Sequence, residues 1–252
     1  MYFEERIYSI LEKIKKEGRV KVAELAEIFN VSEVTIRKDL SELEEMGYLK
    51  RTFGGAILTQ EHVKELSVEQ KKIDNIEKKE IIAKKSAEFL KDGLDIFLDA
   101  GTTALYIAHE IIKFNNITVI TYDLEIASFL SKYDNIKTYM IGGFIDTKNK
   151  LALSIDGYKS LQRMHTDLAF IGTDAFDMNY VYSTNDLKSQ LKKIMSLNSK
   201  TRILTTDSSK FMKNGLFKIN TISEFDEIIS DDSNKMLNDF IKKRKEEKWR
   251  EF

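Results

Sequence analysis

The side chains Ser32, Thr35, Arg37, Lys38 and Ser41, all between residues 31 and 43, are of the types that read a nucleic-acid duplex. Arginine offers a two-pronged donor to guanine, threonine offers a hydroxyl and a methyl group, and lysine or serine meets phosphate. Ser32 stands where a helix N-cap would, and Val31 before it with Ile36 after it can form the hydrophobic staple that fixes a helix entry. Ile36, Leu40 and Leu43 recur at i, i+4 and i+7, so they bury one face and turn the polar set elsewhere. A lone helix of this kind also fits an ordinary solvated surface, and only its surroundings separate the two readings.

A second set of residues suits an anion. After an apolar run, Asp99, Ala100, Gly101, Thr102 and Thr103 open a helix, so backbone amides, the helix dipole and two hydroxyls converge. Lys210 brings a cation to the same rim. Thr121, Tyr122, Asp123, Gly142, Gly143, Gly172, Asp174 and Asp207 follow neighbouring apolar runs. The competing reading of 101–103 is simple helix capping. Asp99, Asp174 and Asp207 could supply acid-base chemistry, but no paired partner is visible. They are assigned to caps and ligand hydroxyls, and no catalytic residue is named. His62, His109 and His165 lack metal-ligand spacing, so neither a metal nor a cofactor is expected.

The first set needs a helix-turn-helix to present it. Phe3, Ile7, Ile10, Leu11 and Ile14 make a helical stripe that stops near Gly18. An alternating piece at 19–22 leads into a short helix at 23–29, and Asn30 can end that helix in a turn. Beyond Leu43, Gly47 and the pair Gly54-Gly55 bracket 48–53 as a hairpin or wing, where Lys50 and Arg51 could grip phosphate. The second set needs a parallel sheet. From residue 76 onward helices and short apolar strands alternate (strands at 96–99, 117–121, 138–141, 168–171, 203–206 and 227–230), which implies a mainly parallel α/β sheet whose ligands sit beyond the carboxyl ends of the strands. Residues 59–73 lose the period and are assigned to a linker. The expected organisation is a winged helix-turn-helix domain at 1–58, with the helix-turn-helix at about 20–39, and an effector-sensing α/β domain at 74–252. A closing charged helix carries Trp249, and Trp249 and Phe252 are expected to dock on the sensor or on a partner chain.

The composition, 42% hydrophobic and 32% charged over 252 residues, is that of a globular chain, and the absence of cysteine excludes disulfides and thiolate sites. No apolar run approaches the ~20 residues that span a bilayer, so a cytoplasmic protein without membrane association is expected. Residues 1–58 carry ten Lys/Arg and eleven Asp/Glu. That balance is unusual for a nucleic-acid binder, so affinity should come from pairing two reading heads in a homodimer or tetramer.

At these residues the chain resembles the DeoR family of bacterial transcriptional regulators. In the reading domain the resemblance rests on Arg6, Ile10 and Leu11, on 20–26, on 31–40, and on Leu43, Glu44, Gly47, Leu49, Arg51 and 54–56. In the second domain it rests on Lys79, 99–103, Thr121, Gly142-Gly143, Ser154 with Gly157, 169–172, Lys193 with Met195, and 207–211. The resemblance implies double-stranded operator DNA as a partner and a sensor similar in fold to ribose-5-phosphate isomerase that binds a phosphorylated sugar effector. Lys79 joins the effector residues on this basis alone. The family usually has Asn-Ser after the residue matching Thr121, and this chain has Tyr122-Asp123, which puts a carboxylate beside the expected phosphate. The expected function is a repressor of a sugar or carbohydrate metabolism operon. The alternatives are a sugar-phosphate isomerase-like enzyme on the same fold and an interaction module that binds neither operator nor metabolite.

Overall fold

The computed structural model describes residues 3–45, 48–58 and 66–250, the side chains of 3–5, 8, 12, 15, 58 and 248–250 excepted. Expectations for Gly47, for 59–65 with His62, for the Trp249 side chain and for Phe252 lie outside the described residues. The chain divides into two compact units, Met1–Glu61 and His62–Phe252.

In the first unit α1 (Phe3–Glu17) buries Ile7, Ile10, Leu11 and Ile14. It is followed by β1 (Arg19–Lys21) and α2 (Val22–Phe29). Asn30 takes the left-handed conformation, φ 51°, and its N–H closes α2 on the carbonyls of Ala26 and Glu27. Next come α3 (Glu33–Glu45), β2 (Leu49–Thr52) and β3 (Gly55–Leu58). The wing is a three-stranded antiparallel sheet in the order β1-β3-β2. Gly55 is what lets β3 close on β1, because a Cβ there would stand 1.9 Å from the Val20 carbonyl oxygen. Ile36, Leu40 and Leu43 are fully buried, and so is Asp39, which α1 meets with Arg6: Nε donates to Oδ2 at 2.5 Å and Nη2 to Oδ1 at 3.0 Å.

The second unit opens with α4 (Val68–Ile73), inside the stretch assigned from sequence to a linker. Ser67 and Gln70 form a reciprocal capping box that starts α4, and Val68 is buried. Six residues are too few to show a helical period, which is why the sequence pattern misses them. The chain continues through α5 (Ile76–Ser86), β4 (Asp95–Leu98), α6 (Thr102–Ile111), β5 (Ile117–Thr121), α7 (Leu124–Leu130), β6 (Ile136–Met140), β7 (Phe144–Asp146), β8 (Leu151–Leu153) and α8 (Ile155–Leu161). It ends with β9 (Thr166–Gly172), β10 (Ala175–Phe176), β11 (Tyr180–Ser183), α9 (Asp186–Leu197), β12 (Ser199–Thr205), β13 (Phe217–Thr221), β14 (Glu227–Ile229) and α10 (Lys235–Arg250).

Six strands form one parallel sheet in the order β14-β12-β9-β4-β5-β6. Their near-continuous apolar runs are what a sheet covered by helices requires. Ile96, Leu98, Val119, Phe170 and Ile203 pack with Ile82, Ile107, Ala108, Ile111, Ile126 and Leu130 in one buried cluster. Two smaller antiparallel pieces are added, a β7-β8 hairpin and a β10-β11-β13 sheet. Among the described residues no helix is long and apolar enough to cross a membrane.

Candidate functional site

On α3 the Ser32 hydroxyl accepts the Thr35 amide at 3.1 Å and lies 2.9 Å from the Thr35 hydroxyl, so Ser32 is the N-cap. Arg37 and Lys38 are exposed, Arg37 in a surface pair with Glu33 at 2.9 Å. Two expected readers hold the scaffold instead. Ser41 donates to the Arg37 carbonyl and accepts from Arg51 Nη1 at 2.7 Å, while the Arg51 amide donates to Glu44 at 2.8 Å. Ser41 and Arg51 thus pin the wing to α3, because they face each other across the β2–α3 contact. Thr35, Arg37, Lys38 and Lys50 remain as the outward-facing set not engaged in holding the wing, and Arg51 stays exposed while it makes these bonds.

In the second unit a hollow lies at the start of α6, where the sequence placed an anion cradle, and its lining differs from the expected set. A hollow of about 60 Å³ is lined by Ala100, Gly101, Thr102, Thr103, Gly172, Asp174 and Lys210, and also by Lys71, Lys188 and Lys192. Gly101, at φ 111°, begins α6 in a conformation that side chains avoid. The first amides of α6 have no carbonyl a turn earlier to bind, and Thr102, Thr103 and Ala104, which carry them, line the hollow. Asp174 accepts from Lys71 at 3.2 Å and from the Thr184 amide and hydroxyl at 3.0 Å, with Lys188 at 3.9 Å. A second hollow of about 190 Å³ shares Lys71, Thr102, Thr103, Asp174 and Lys210 with the first and adds Asp207 and Ser209.

Several expected ligand residues do other work. Asp99 is fully buried and accepts from the Tyr122 hydroxyl at 2.5 Å, from the Gly172 amide at 2.7 Å and from Lys192. With three donors around it, Asp99 positions Gly172 and Lys192 rather than holding a sugar hydroxyl. Tyr122 is likewise sealed in, and burial beside Asp99 pushes its phenol well above the usual range. Thr121 is buried and its hydroxyl accepts the Asp123 amide at 3.2 Å. Asp123 caps α7 through the Glu125 and Ile126 amides, and its other oxygen accepts the Gly101 amide at 2.9 Å. The carboxylate therefore withdraws one donor from the cradle instead of confronting the ligand. Gly142 and Gly143 lie with Ser154 and Gly157 in a separate hollow beside β6. Lys79 is buried and donates to the Asp74 carbonyl at 2.5 Å and to that of Lys71, so it fastens the end of α4 while bordering the larger hollow. Asp207 caps the turn Ser208–Lys210 and pairs with Lys210 at 3.6 Å.

The lysines that the sequence reading passed over left a signal. Lys188, Leu191, Lys192 and Met195 stand at i, i+3, i+4 and i+7 and all are buried, whereas Lys193, matched by resemblance, is exposed. A lysine in the apolar stripe of a helix must find an anion or a carboxylate inside.

The charges set a pH dependence. Burial pushes the Asp174 carboxyl up, but Lys188, Lys71 and Lys192 outweigh it and hold it well below the usual range. Asp207 is lowered in the same way, with Lys210 and Ser209 outweighing its burial. A depressed carboxylate stabilises the fold fully above its unfolded pKa of about 3.9, and the contribution is lost as pH falls toward the folded value. The thermal midpoint of the second unit should therefore drop below about pH 4. Asp174→Asn should flatten that part of the profile, and an unchanged profile in this variant would refute the assignment.

A helix-turn-helix head joined to a parallel sheet with a lysine-rich hollow defines a DNA-binding transcriptional regulator. Residues 6–62 match the family model of the DeoR-like helix-turn-helix domain, and 74–232 match that of the DeoR C terminal sensor domain. The chain is 34% identical to the HTH-type transcriptional regulator GolR of Listeria innocua over 92% of each chain. It is 29% identical to the glycerol-3-phosphate regulon repressor of Escherichia coli over 90% of each. A D-ribose-5-phosphate isomerase in complex with phospho-erythronic acid aligns at 20% identity with a TM-score of 0.39, over 53% of this chain and 52% of the other. This chain belongs to the DeoR family.

Proposed function

We propose that this regulator represses a sugar or carbohydrate metabolism operon and is released from its operator by a phosphorylated sugar, acting as a homodimer or tetramer. One observation supports the effector class: Lys71, Lys188, Lys192 and Lys210 line the hollow at the first turn of α6, and the three carboxylates paired with them, Asp174, Asp99 and Asp207, leave one positive charge in excess. A phosphate there accepts from the α6 amides and from Thr102 and Thr103, with the lysines as counter-charge. The sugar hydroxyls fall to the larger hollow beside Asp207 and Ser209. The relative named for a glycerol-3-phosphate regulon agrees with this class. The relatives are transcriptional regulators, so the isomerase-like alternative is not favoured.

Release requires that the ligand grip the two conformations differently. Lys71 supplies the means, because it sits on α4, close after the segment that follows the reading unit, and is paired with Asp174. A phosphate competes for that ammonium. A gel-shift titration on the DNA upstream of the protein's own gene, with a panel of sugar phosphates, should show operator affinity falling about 5- to 150-fold with the correct effector. Lys210→Ala with Thr102→Val should keep operator binding and lose the response. An unphosphorylated sugar that releases the wild type and this variant equally would overturn the proposal.

Arg37→Ala should leave the fold intact, since an exposed i,i+4 pair is worth only about 0.3–0.5 kcal/mol. It should cost about 1–3 kcal/mol of operator discrimination per half-site. Competition against random DNA measures it, and an undiminished preference for operator would remove Arg37 from the readers.

A further inference from the structure

Of the large apolar side chains that the described part of the reading unit exposes, Ile28, Val34, Phe53 and Ile57, two stand out furthest. Val34, in the first turn of α3, is 75% exposed, and Phe53, in the β2–β3 turn, is completely exposed. Neither belongs to a loose segment. Val34 shares a helix face with Arg37 and Lys38, three and four residues on. The turn that carries Phe53 is tied down on both flanks. The Gly54 carbonyl accepts the Val22 amide at 2.8 Å, and Gly55 fits under Val20. Arg51 is held by Ser41 and Glu44 of α3. Phe53 is therefore presented at a set distance from the reading helix, next to the exposed cations of β2, Lys50 and Arg51.

Exposed apolar side chains close in the chain to exposed cations are matched by a surface that is anionic at its edges and apolar within. Duplex DNA is such a surface, with phosphates along the rims, thymine methyl groups in the major groove, and sugar and base-step surface in the minor groove. The N-terminal residues of a reading helix are those that meet base edges. We propose that Val34 and Phe53 are apolar sequence readers: Val34 packs on the C5-methyl of a thymine in the major groove, and Phe53 packs into the adjoining minor groove. The inference rests on the DNA-binding role of the family and not on the identity of the effector.

The test uses the full chain and an operator selected from random duplex DNA. Each thymine in turn is replaced by deoxyuridine, which removes only the methyl group. At one position per half-site, wild-type affinity should fall about fourfold, the worth of one buried methyl. Val34→Ala should bind the unmodified operator correspondingly less well and be indifferent to the replacement. For Phe53, replacing adenines by 2,6-diaminopurine adds an amino group to the minor groove and leaves the major-groove edge unchanged. The wild type should lose affinity at positions beside the half-site, and Phe53→Ala should not. Both side chains are exposed, so both variants should melt like the wild type. Neither removes a phosphate contact, so the slope of log affinity against log salt should stay constant, whereas Lys50→Ala should reduce it. A Val34→Ala protein as sensitive as the wild type to every uridine would overturn the major-groove half. A Phe53→Ala protein as sensitive as the wild type to diaminopurine, or one with an altered salt slope, would overturn the minor-groove half.

Discussion

Asp39→Ala should largely unfold the reading unit while the sensor unit keeps its own transition. The Arg6 side chain is only 8% exposed and faces Asp39 through two donated hydrogen bonds. Deleting the carboxylate takes both of these acceptors from a buried guanidinium, and breaking a buried pair in this way costs about 3–5 kcal/mol. A domain of some sixty residues seldom has more than about 5 kcal/mol in total. Removing both charges is a different experiment. Arg6→Met with Asp39→Leu replaces the pair by apolar groups, and such exchanges are commonly neutral or stabilising. Denaturant melts of the single and double variants decide the matter. A single variant that melts like the wild type would show that the pair is not buried as described.

The second large effect is expected at Lys188. Lys188→Met should weaken binding of the proposed phosphorylated effector about 10- to 150-fold, the range for losing one hydrogen bond to a charged group, and should leave operator affinity unchanged. The fold tolerates the change because Asp174 keeps Lys71, Ser183 and both Thr184 donors, and methionine matches the length of the buried stem. Lys192 would not serve, since its removal leaves Asp99 with a buried charge. Calorimetry on the wild type and Lys188→Met gives the comparison, and equal affinities would take Lys188 out of the site.

The two positions share a reason for having been hard to see. Ile36, Asp39, Leu40 and Leu43 form one complete stripe at i, i+3, i+4 and i+7, as do Lys188, Leu191, Lys192 and Met195. Reading only the apolar members gives the helices and their buried faces correctly, and it drops the charged residues that interrupt those faces. A charge in such a slot marks either a buried partner, as with Arg6, or a buried ligand. The reading helix, the central strands and the start of α6 at Gly101–Thr103 were legible because each has a strong local signature: an N-cap, an apolar run, a glycine before two hydroxyls. Partnerships across the fold were not. Nothing local says that Asp123 will take the Gly101 amide, that Asp99 will be closed off by Tyr122, or that β6 will carry Gly142-Gly143 away from the hollow. The short β7-β8 and β10-β11-β13 pieces escaped because they are antiparallel additions that fall outside the strand-helix alternation marking the central sheet.

The strand order also governs how the chain matures during synthesis. The reading unit is complete once residue 61 has emerged, with every strand pairing in it made within that length. The sheet of the second unit is not, because β4 takes β5 on one side but must wait for β9 on the other. At about 5–20 residues per second, the roughly seventy residues between them leave one flank of β4 bare for several seconds. Ile96, Phe97 and Leu98, wholly buried at the end, sit on that flank meanwhile. A ribosome stalled before β9 should therefore display a protease-resistant head and a protease-sensitive, chaperone-dependent half-sheet. Equal resistance of both would show that β4, β5 and β6 settle without β9. The nascent regulator thus acquires a folded reading head before its second unit has a closed sheet.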